Sequence, residues 1–369
     1  MKIGFALDDS LDSTDGVQQY VLLLGKWLSN KGHEVHYLVG ESYRSDLPNI
    51  HSLSKNLKVR FNKNRLTVPL PTSKSNLTKL LNKEKFDILH VQMPFSPFLV
   101  GKIIKYAPKS TKIIGTFHIA PYSRRVTIGT KMLAKTTSRN LKKFDKFISV
   151  SEVAQSFALE TYNISSSVIP NAVDLTKYKS INQKTKKYDI IFVGRLVKRK
   201  GCINLLKALA LIKKQTKLPH LKIAIVGDGP ENTKLKKYVE ANGLADWCQF
   251  FGYVKESKKI GLLQSSKIAV FPAIGGESFG IVLIEAMASG LLVLAGNNPG
   301  YNSVMSANSK TLFPAENYKQ LASLISKALN DQKFYKHEFN MQQDIVKNFD
   351  VENVGSDIMR VYSSLVKGN

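Results

Sequence analysis

Cysteine is scarce in this chain: two in 369 residues, Cys202 and Cys248. That excludes a disulfide framework and fits a reducing compartment. Acid is scarce too, with 28 Asp and Glu against 54 Lys and Arg, and the formal net charge is +26. Long apolar runs are missing. The best stretch, 281–296, is broken by Glu285, Ser289 and Gly290, so no transmembrane helix is expected. The opening "MKIGFALDDS" turns acidic too soon for a signal peptide and reads as a first strand. No helix-turn-helix, zinc or RNA-binding signature is present, which leaves nucleic-acid binding without a motif.

What the chain does have is clustered basic charge. Residues 121–147 hold eight Lys and Arg against one Asp, residues 55–85 nine against one Glu, and residues 177–222 fourteen against one Asp. Such clusters suit an anionic partner: a phosphorylated substrate, a membrane surface or nucleic acid. Lysine greatly outnumbers arginine, a bias that a genome of skewed composition also produces. Hydrophobic residues make up 43% and charged residues 22%, as in ordinary globular proteins. The length predicts two domains.

Short apolar runs alternate with helix-period segments. Strands read at "KIGFAL", "EVHYLV", "FDILHV", "KIIGTF" and "KFISV", then at "YDIIFVG", "LKIAIVG", "CQFFGYV", "KIAVFP" and "LLVLAG". Helices read at 17–30, around 95–106 and at 127–143, then at 202–214, 231–241, 256–265, 280–289 and 316–330. This alternation predicts an α/β class with parallel sheets covered on both faces, in two Rossmann-like halves. The polar stretch 168–188 marks the boundary: an N-terminal domain over 1–170, completed by about 350–369, and a C-terminal domain over 171–349. The amphipathic "VGSDIMRVYSSLVKGN" is expected to cross back onto the first domain.

Ligands of doubly wound folds bind beyond the carboxyl ends of the strands, where helix N-termini offer N–H groups and partial positive charge to phosphate. Four loops fit. "DSTDGVQQY" places Gly16 before a helix, as a phosphate contact or an ordinary turn. "VGRLVKRKG" puts Arg195 and Lys200 within reach of one diphosphate, or in a solvated loop. "VGDGPE" is a glycine turn. In "FPAIGGESFGIVLIEAMASG", Gly275 and Gly276 turn the chain, Ser278 to Gly280 start a helix, and the N–H groups of Phe279, Gly280 and Ile281 face a phosphate. Glu277 then points into the cleft toward sugar hydroxyls, and Glu285 leans back toward the helix start, where a carboxylate suits a ribose diol. A buried salt-bridge partner is the other reading of Glu285.

At these residues the chain resembles the retaining glycosyltransferases of family 4. The Glu-x7-Glu spacing from Glu277 to Glu285 is the family's signature. "DGVQ", "GTFHIAP", "VSEVA", "IPNAVD", "VGRLVKRKG", "VGDGP" and "FGYV" accompany it in order along nearly the whole chain. The resemblance implies a GT-B fold: two Rossmann-like domains facing a cleft, closing on the donor, with a C-terminal helix crossing back to the N-terminal domain. Within the family, "GVQ", "TFH", "GGESFGIVLIEAMASG" and "RVYSSL" are similar to phosphatidylinositol mannosyltransferases. That likeness implies transfer of a hexose, mannose from GDP-mannose, to a membrane lipid such as phosphatidylinositol. It implies a cytoplasmic protein, peripheral on the inner face of the plasma membrane. A UDP-glucose-dependent diacylglycerol glucosyltransferase, a soluble glycan-precursor transferase and a non-catalytic nucleotide or nucleic-acid binder are the alternatives.

By the same resemblance Gly16 meets the donor β-phosphate, and Arg195 and Lys200 hold the diphosphate. Glu277 binds the transferred sugar, His118 bonds it near its 6-hydroxyl, and Glu285 holds the ribose. Val254 and Glu256 line the base, while Gln18, Asp9 and Arg124 stand on the acceptor side. The subgroup has an aromatic residue at Asp9 and a polar headgroup contact at Phe95. No Asp-x-Asp sits at a strand end, so no metal and no cofactor are expected.

"RRVTIGTKMLAKTTSRNLKKFDKF" reads as a helix on which Lys131, Lys135, Arg139, Lys142 or Lys143, and Lys146 form one cationic stripe. Such a stripe suits an anionic bilayer, or is simply a solvated face. At about 1 kcal/mol per basic residue, five reach about 5 kcal/mol at most, enough for reversible residence. The oligomeric state is not encoded in any of these patterns.

Overall fold

The computed structural model describes residues 1–12, 15–61, 64–119, 137–179, 185–215 and 221–366. The chain divides into two compact units, one formed by Met1–Ala172 with Val351–Asn369, the other by Val173–Asp350.

The first unit is built on seven parallel strands in the order β3-β2-β1-β6-β7-β8-β9. These are β1 (Lys2–Ala6), β2 (Glu34–Val39), β3 (Ile50–Ser52), β6 (Ile88–Gln92), β7 (Lys112–Phe117), β8 (Lys146–Ser149) and β9 (Ser167–Val168). A separate antiparallel hairpin, β4 (Asn56–Phe61) with β5 (Asn64–Pro69), stands outside the sheet. β6 is buried along its whole length, as expected of a parallel strand covered on both faces. Strand order reverses between β1 and β6, both of which run parallel in register from Ile3 opposite Ile88. Doubly wound sheets open their ligand crevice at such a switch point.

The helix Gly16–Asn30 and the C-terminal helix Val351–Val366 cover one face of this sheet. Val354, Ile358 and Tyr362 share a core with Val21, Leu24 and Leu28. Gly355 lies so close to Trp27 that an added Cβ would meet the indole at 2.7 Å. The C-terminal helix is therefore an integral part of the first unit.

The second unit has six parallel strands in the order β12-β11-β10-β13-β14-β15. They are β10 (Tyr188–Val193), β11 (Ile223–Val226), β12 (Cys248–Gly252), β13 (Ser266–Phe271), β14 (Leu292–Gly296) and β15 (Leu312–Phe313). Order reverses between β10 and β13, so the loops Gly194–Gly201 and Pro272–Gly280 flank the switch point. The helices Cys202–Gln215 and Tyr318–Asn330 pack Leu205, Leu209, Leu321 and Ile325 on one face of the sheet.

Two expectations need correction. Of the helix read over 127–143, residues 137–141 are helical and 127–136 lie outside the described residues. Lys142 and Lys143 fall in a turn, and Lys146 opens β8. Asp145 and Lys146 are drawn into the sheet, where Asp145 N donates to Ile113 O at 2.8 Å. A single helical stripe through Lys146 is thus excluded. Lys143 instead caps the helix Leu99–Tyr106, donating to the carbonyls of Ile104 at 3.2 Å and Lys105 at 2.7 Å. The helix expected to start at Ser278–Gly280 begins at Ile281 and ends at Ala288.

Candidate active site

In the second unit, the chain leaves β10 through Gly194 and Arg195, makes a short turn at Lys198–Lys200, and enters the helix Cys202–Gln215 at Gly201. Gly201 has φ 68°, and a Cβ there would lie 1.9 Å from the Pro272 carbonyl. Only glycine permits that approach. It brings the turn against the end of β13, where Ile274 N donates to Arg199 O at 2.9 Å.

Glu277 therefore meets two cations. Arg199 Nη1 donates to Oε1 at 2.6 Å and to the Gly276 carbonyl at 3.1 Å. Lys200 Nζ lies 2.9 Å from both carboxylate oxygens. The Glu277 side chain is 11% exposed. With Arg199 balancing Glu277, the Lys200 charge is the surplus that suits an anion beside them. Arg195, exposed at the end of β10, stands on the same loop. Phe279 is buried and packs its ring edge-on against Phe349, with centroids 5.6 Å apart. This contact anchors the approach to the helix Ile281–Ala288, whose first N–H groups open the turn after β13.

Glu285, in the second turn of that helix, is buried and ion-paired. Its Oε1 lies 2.8 Å from Lys259 Nζ, which is also 3.0 Å from Glu256 Oε2. The reading of Glu285 as a buried salt-bridge partner describes this arrangement. Burial works against the Lys259 charge, but the Glu285 and Glu256 carboxylates outweigh it and the ammonium's pKa is raised. Tyr178 points its buried phenol at Glu285; burial first, then the Glu285 and Glu256 charges, push its pKa up. Glu256 starts the helix Glu256–Gln264, and Val254 is half-buried just before it.

The glycine turn "VGDGPE" has a packing reason. Gly227, at φ 131°, approaches Gly194 so closely that a Cβ would meet its carbonyl at 2.0 Å. Leu196 N donates to Asp228 O at 2.9 Å. The loops after β10 and β11 thus share a backbone surface.

In the first unit, His118 follows β7 and is buried. Its Nε2 lies 2.7 Å from Gln92 Oε1 at the end of β6, and Tyr20 sits edge-on at 5.1 Å. An amide oxygen only accepts, so Nε2 carries the proton and Nδ1 keeps a lone pair. Burial pushes the His118 pKa down to about 3, so the ring is neutral at physiological pH. Behind it, His90 lies 2.6 Å from both Tyr362 Oη and Thr116 Oγ1. The C-terminal helix thereby reaches the polar centre of this sheet.

Gln18 is buried on the helix Gly16–Asn30, and its Nε2 donates to Asp9 Oδ2 at 3.0 Å. Its Oε1 is buried without a hydrogen-bond partner. Gly16 is the first residue of that helix. Phe95, where a polar headgroup contact was expected, is instead 7% exposed and stacks on Tyr162 and Phe117 at 5.2 and 5.8 Å. Arg124, Lys131 and Lys135 lie outside the described residues; Arg139, Lys142 and Lys146 are exposed.

Four participants were absent from the sequence reading: Arg199, Lys259, Tyr178 and Gln92. Arg199 stands beside Lys200 in "VKRKG", and Lys259 follows Glu256 at helical i,i+3 spacing. Both signals were available locally. Tyr178 and Gln92 reach their partners only through the fold. Among the described residues, His36, His51 and Glu84 bring possible metal ligands within 4.8 Å of one another. Lys2 already neutralises Glu84 at 3.0 Å.

Comparison with known proteins places this geometry. Residues 14–177 match the model of Glycosyltransferase Family 4, and residues 175–348 match that of Glycosyl transferases group 1. The chain is 29% identical to a phosphatidyl-myo-inositol mannosyltransferase of Mycolicibacterium smegmatis, over 99% of this chain and 94% of that protein. It is 25% identical to the protein of that name from Propionibacterium freudenreichii, over 98% and 95%. Among solved structures, Anabaena HepE in complex with UDP superposes with a TM-score of 0.78 at 18% identity, covering 99% of this chain and 100% of that one. A glycosyltransferase from Rickettsia africae gives 0.75 at 20% identity, covering 100% and 99%. Two parallel-sheet α/β units carrying these domains in tandem define a GT-B fold, and the chain belongs to glycosyltransferase family 4 and is a glycosyltransferase.

Proposed function

We propose that the enzyme moves mannose from GDP-mannose to a phosphatidylinositol-type lipid, retaining the anomeric configuration. The observation that carries this reading is the likeness, along 99% of the chain, to proteins named phosphatidyl-myo-inositol mannosyltransferase. The charge arrangement at the β10/β13 switch point supports it.

Breaking the sugar–phosphate bond leaves charge on the departing diphosphate. Arg195, Lys200 and the amino end of the helix Ile281–Ala288 stabilise that charge, a task that the proposal gives to the chain rather than to a metal. Glu277 accepts hydrogen bonds from the hexose and Glu285 from the ribose. Gly16 meets the β-phosphate, and Val254 and Glu256 line the base. His118 is neutral and cannot supply a cation; its Nδ1 lone pair accepts from a hexose hydroxyl. Gln18, whose buried Oε1 has no partner, takes a donor from the acceptor headgroup beside Asp9, and Arg124 is assigned to the same acceptor. Among the described residues no helix is long and apolar enough to cross a membrane. The proposal gives lipid access to peripheral attachment by exposed basic residues at the inner face of the plasma membrane.

A thermal-shift panel of GDP-mannose, UDP-glucose and their nucleotides tests the donor, and radiolabel transfer to phosphatidylinositol vesicles tests the acceptor. GDP-mannose should stabilise the protein most and label the lipid. Stabilisation by UDP-glucose alone, or no labelled lipid, overturns the reading.

A further inference from the structure

We propose that Arg199 is the permanent partner of Glu277 and Lys200 the exchangeable one: Arg199 keeps the carboxylate aimed while Lys200 turns to the donor's diphosphate. The inference rests on the reading of Glu277 as the contact to the transferred hexose. It adds a positioning residue to that contact.

The two cations hold Glu277 differently. The Arg199 guanidinium grips both the carboxylate, at 2.6 Å, and the carbonyl of the preceding residue, Gly276, at 3.1 Å. Its own carbonyl is fixed by Ile274 N at 2.9 Å. Arg199 is thus tied to the turn after β13 at both its backbone and its side chain. A planar guanidinium that bridges side chain and backbone fixes direction as well as charge. Lys200 offers a point charge on a flexible stem, 2.9 Å from either oxygen. A lysine can change partners at little geometric cost.

Electrostatics then demand the division. A diphosphate arriving next to Glu277 repels its carboxylate. If Lys200 turns to the phosphate, the carboxylate loses one cation just as the new negative charge appears. Arg199 is the partner that stays to balance and orient it. Without it, Glu277 meets the hexose misdirected, while Lys200 still turns to the diphosphate.

The test compares Arg199→Met, Arg199→Lys, Glu277→Gln and Lys200→Met, each checked for folding by thermal melting. Calorimetry with GDP and with GDP-mannose is combined with kcat and KM. Arg199→Met should bind GDP within about three-fold of the parent yet lose about 100-fold in kcat, the scale of a misplaced reactive group. Arg199→Lys should recover part of that loss. Lys200→Met should lose GDP affinity. If Arg199→Met loses GDP affinity as Lys200→Met does, Arg199 is a phosphate ligand and the inference fails. If its kcat is unchanged, the pair is idle and the inference fails. Near-normal transfer by Glu277→Gln overturns the underlying hexose assignment instead, whatever Arg199 does.

Discussion

Lys259 is shared by two carboxylates: its ammonium lies 2.8 Å from Glu285 and 3.0 Å from Glu256, and only 14% of the side chain is exposed. The pair with Glu285 is the buried one, because Glu256 remains 41% exposed. Removing one member of a buried pair strands the other's charge. Lys259→Met should therefore cost about 3–5 kcal/mol in urea unfolding. Adding Glu285→Leu to it should return most of that loss. A double variant no more stable than the single one refutes the assignment of the penalty to Glu285.

Glu277 is set differently, between two side chains that reach solvent. Glu277→Ala leaves Arg199 and Lys200 able to hydrate. Transfer should drop below detection while the melting temperature changes by no more than a few degrees. Activity within a few-fold of the parent would remove Glu277 from the sugar contact.

His90 and His118 make stability depend on pH. Burial lowers both to about 3 from an ordinary 6.5, with the His118 charge adding to the shift at His90. In the unfolded chain they take up protons from pH 6.5 downward. Between pH 6.5 and 3 the unfolded state binds more protons, so stability falls as pH falls. Each histidine contributes about 1.4 kcal/mol per pH unit in that window. Between pH 7 and 5 the parent should lose about 2 kcal/mol more than His90→Gln. Urea midpoints at the two pH values give the answer, and equal losses contradict the buried, neutral assignment.

The proposed membrane attachment separates the basic residues by role. Lys131→Ser, Lys135→Ser and Arg139→Ser together should weaken co-sedimentation with phosphatidylserine vesicles, more so in low salt. Lys143→Ser should leave vesicle binding unchanged and lower stability slightly, by about 0.3–1 kcal/mol, as expected for a cation at a helix C-terminus. Vesicle binding that ignores the triple change excludes those three residues as the attachment.

The repeating strand and helix pattern was legible in the sequence because each element carries its own period. "KIAVFP" followed by a glycine turn and "IVLIEAMASG" announces β13 and its helix with no help from elsewhere. Three things were hidden. The stripe through Lys146 follows helical spacing on paper, but "KFISV" is a stronger strand signal and ends the helix before it. The hairpin β4–β5 lies within the basic stretch 55–85, although "NLKVRF" and "NRLTVP" alternate apolar and polar residues. The partners of Glu277 and Glu285 were hidden because they come from other strand-end loops and helices, 77 to 78 positions away for Glu277 and 26 for Glu285. Period and motif report what a segment is, and they are silent on which charge it will meet.

The close backbone approaches at Gly194–Gly227 and Gly201–Pro272 bear on redesign. Three strand-end turns in the second unit fit one another like interlocked fingers, with no room for a side chain at the joints. A turn transplanted alone from a relative to retune donor preference would arrive with the wrong neighbours. Grafts that exchange all three together, keeping glycine at each joint, are the ones that should yield soluble chimeras.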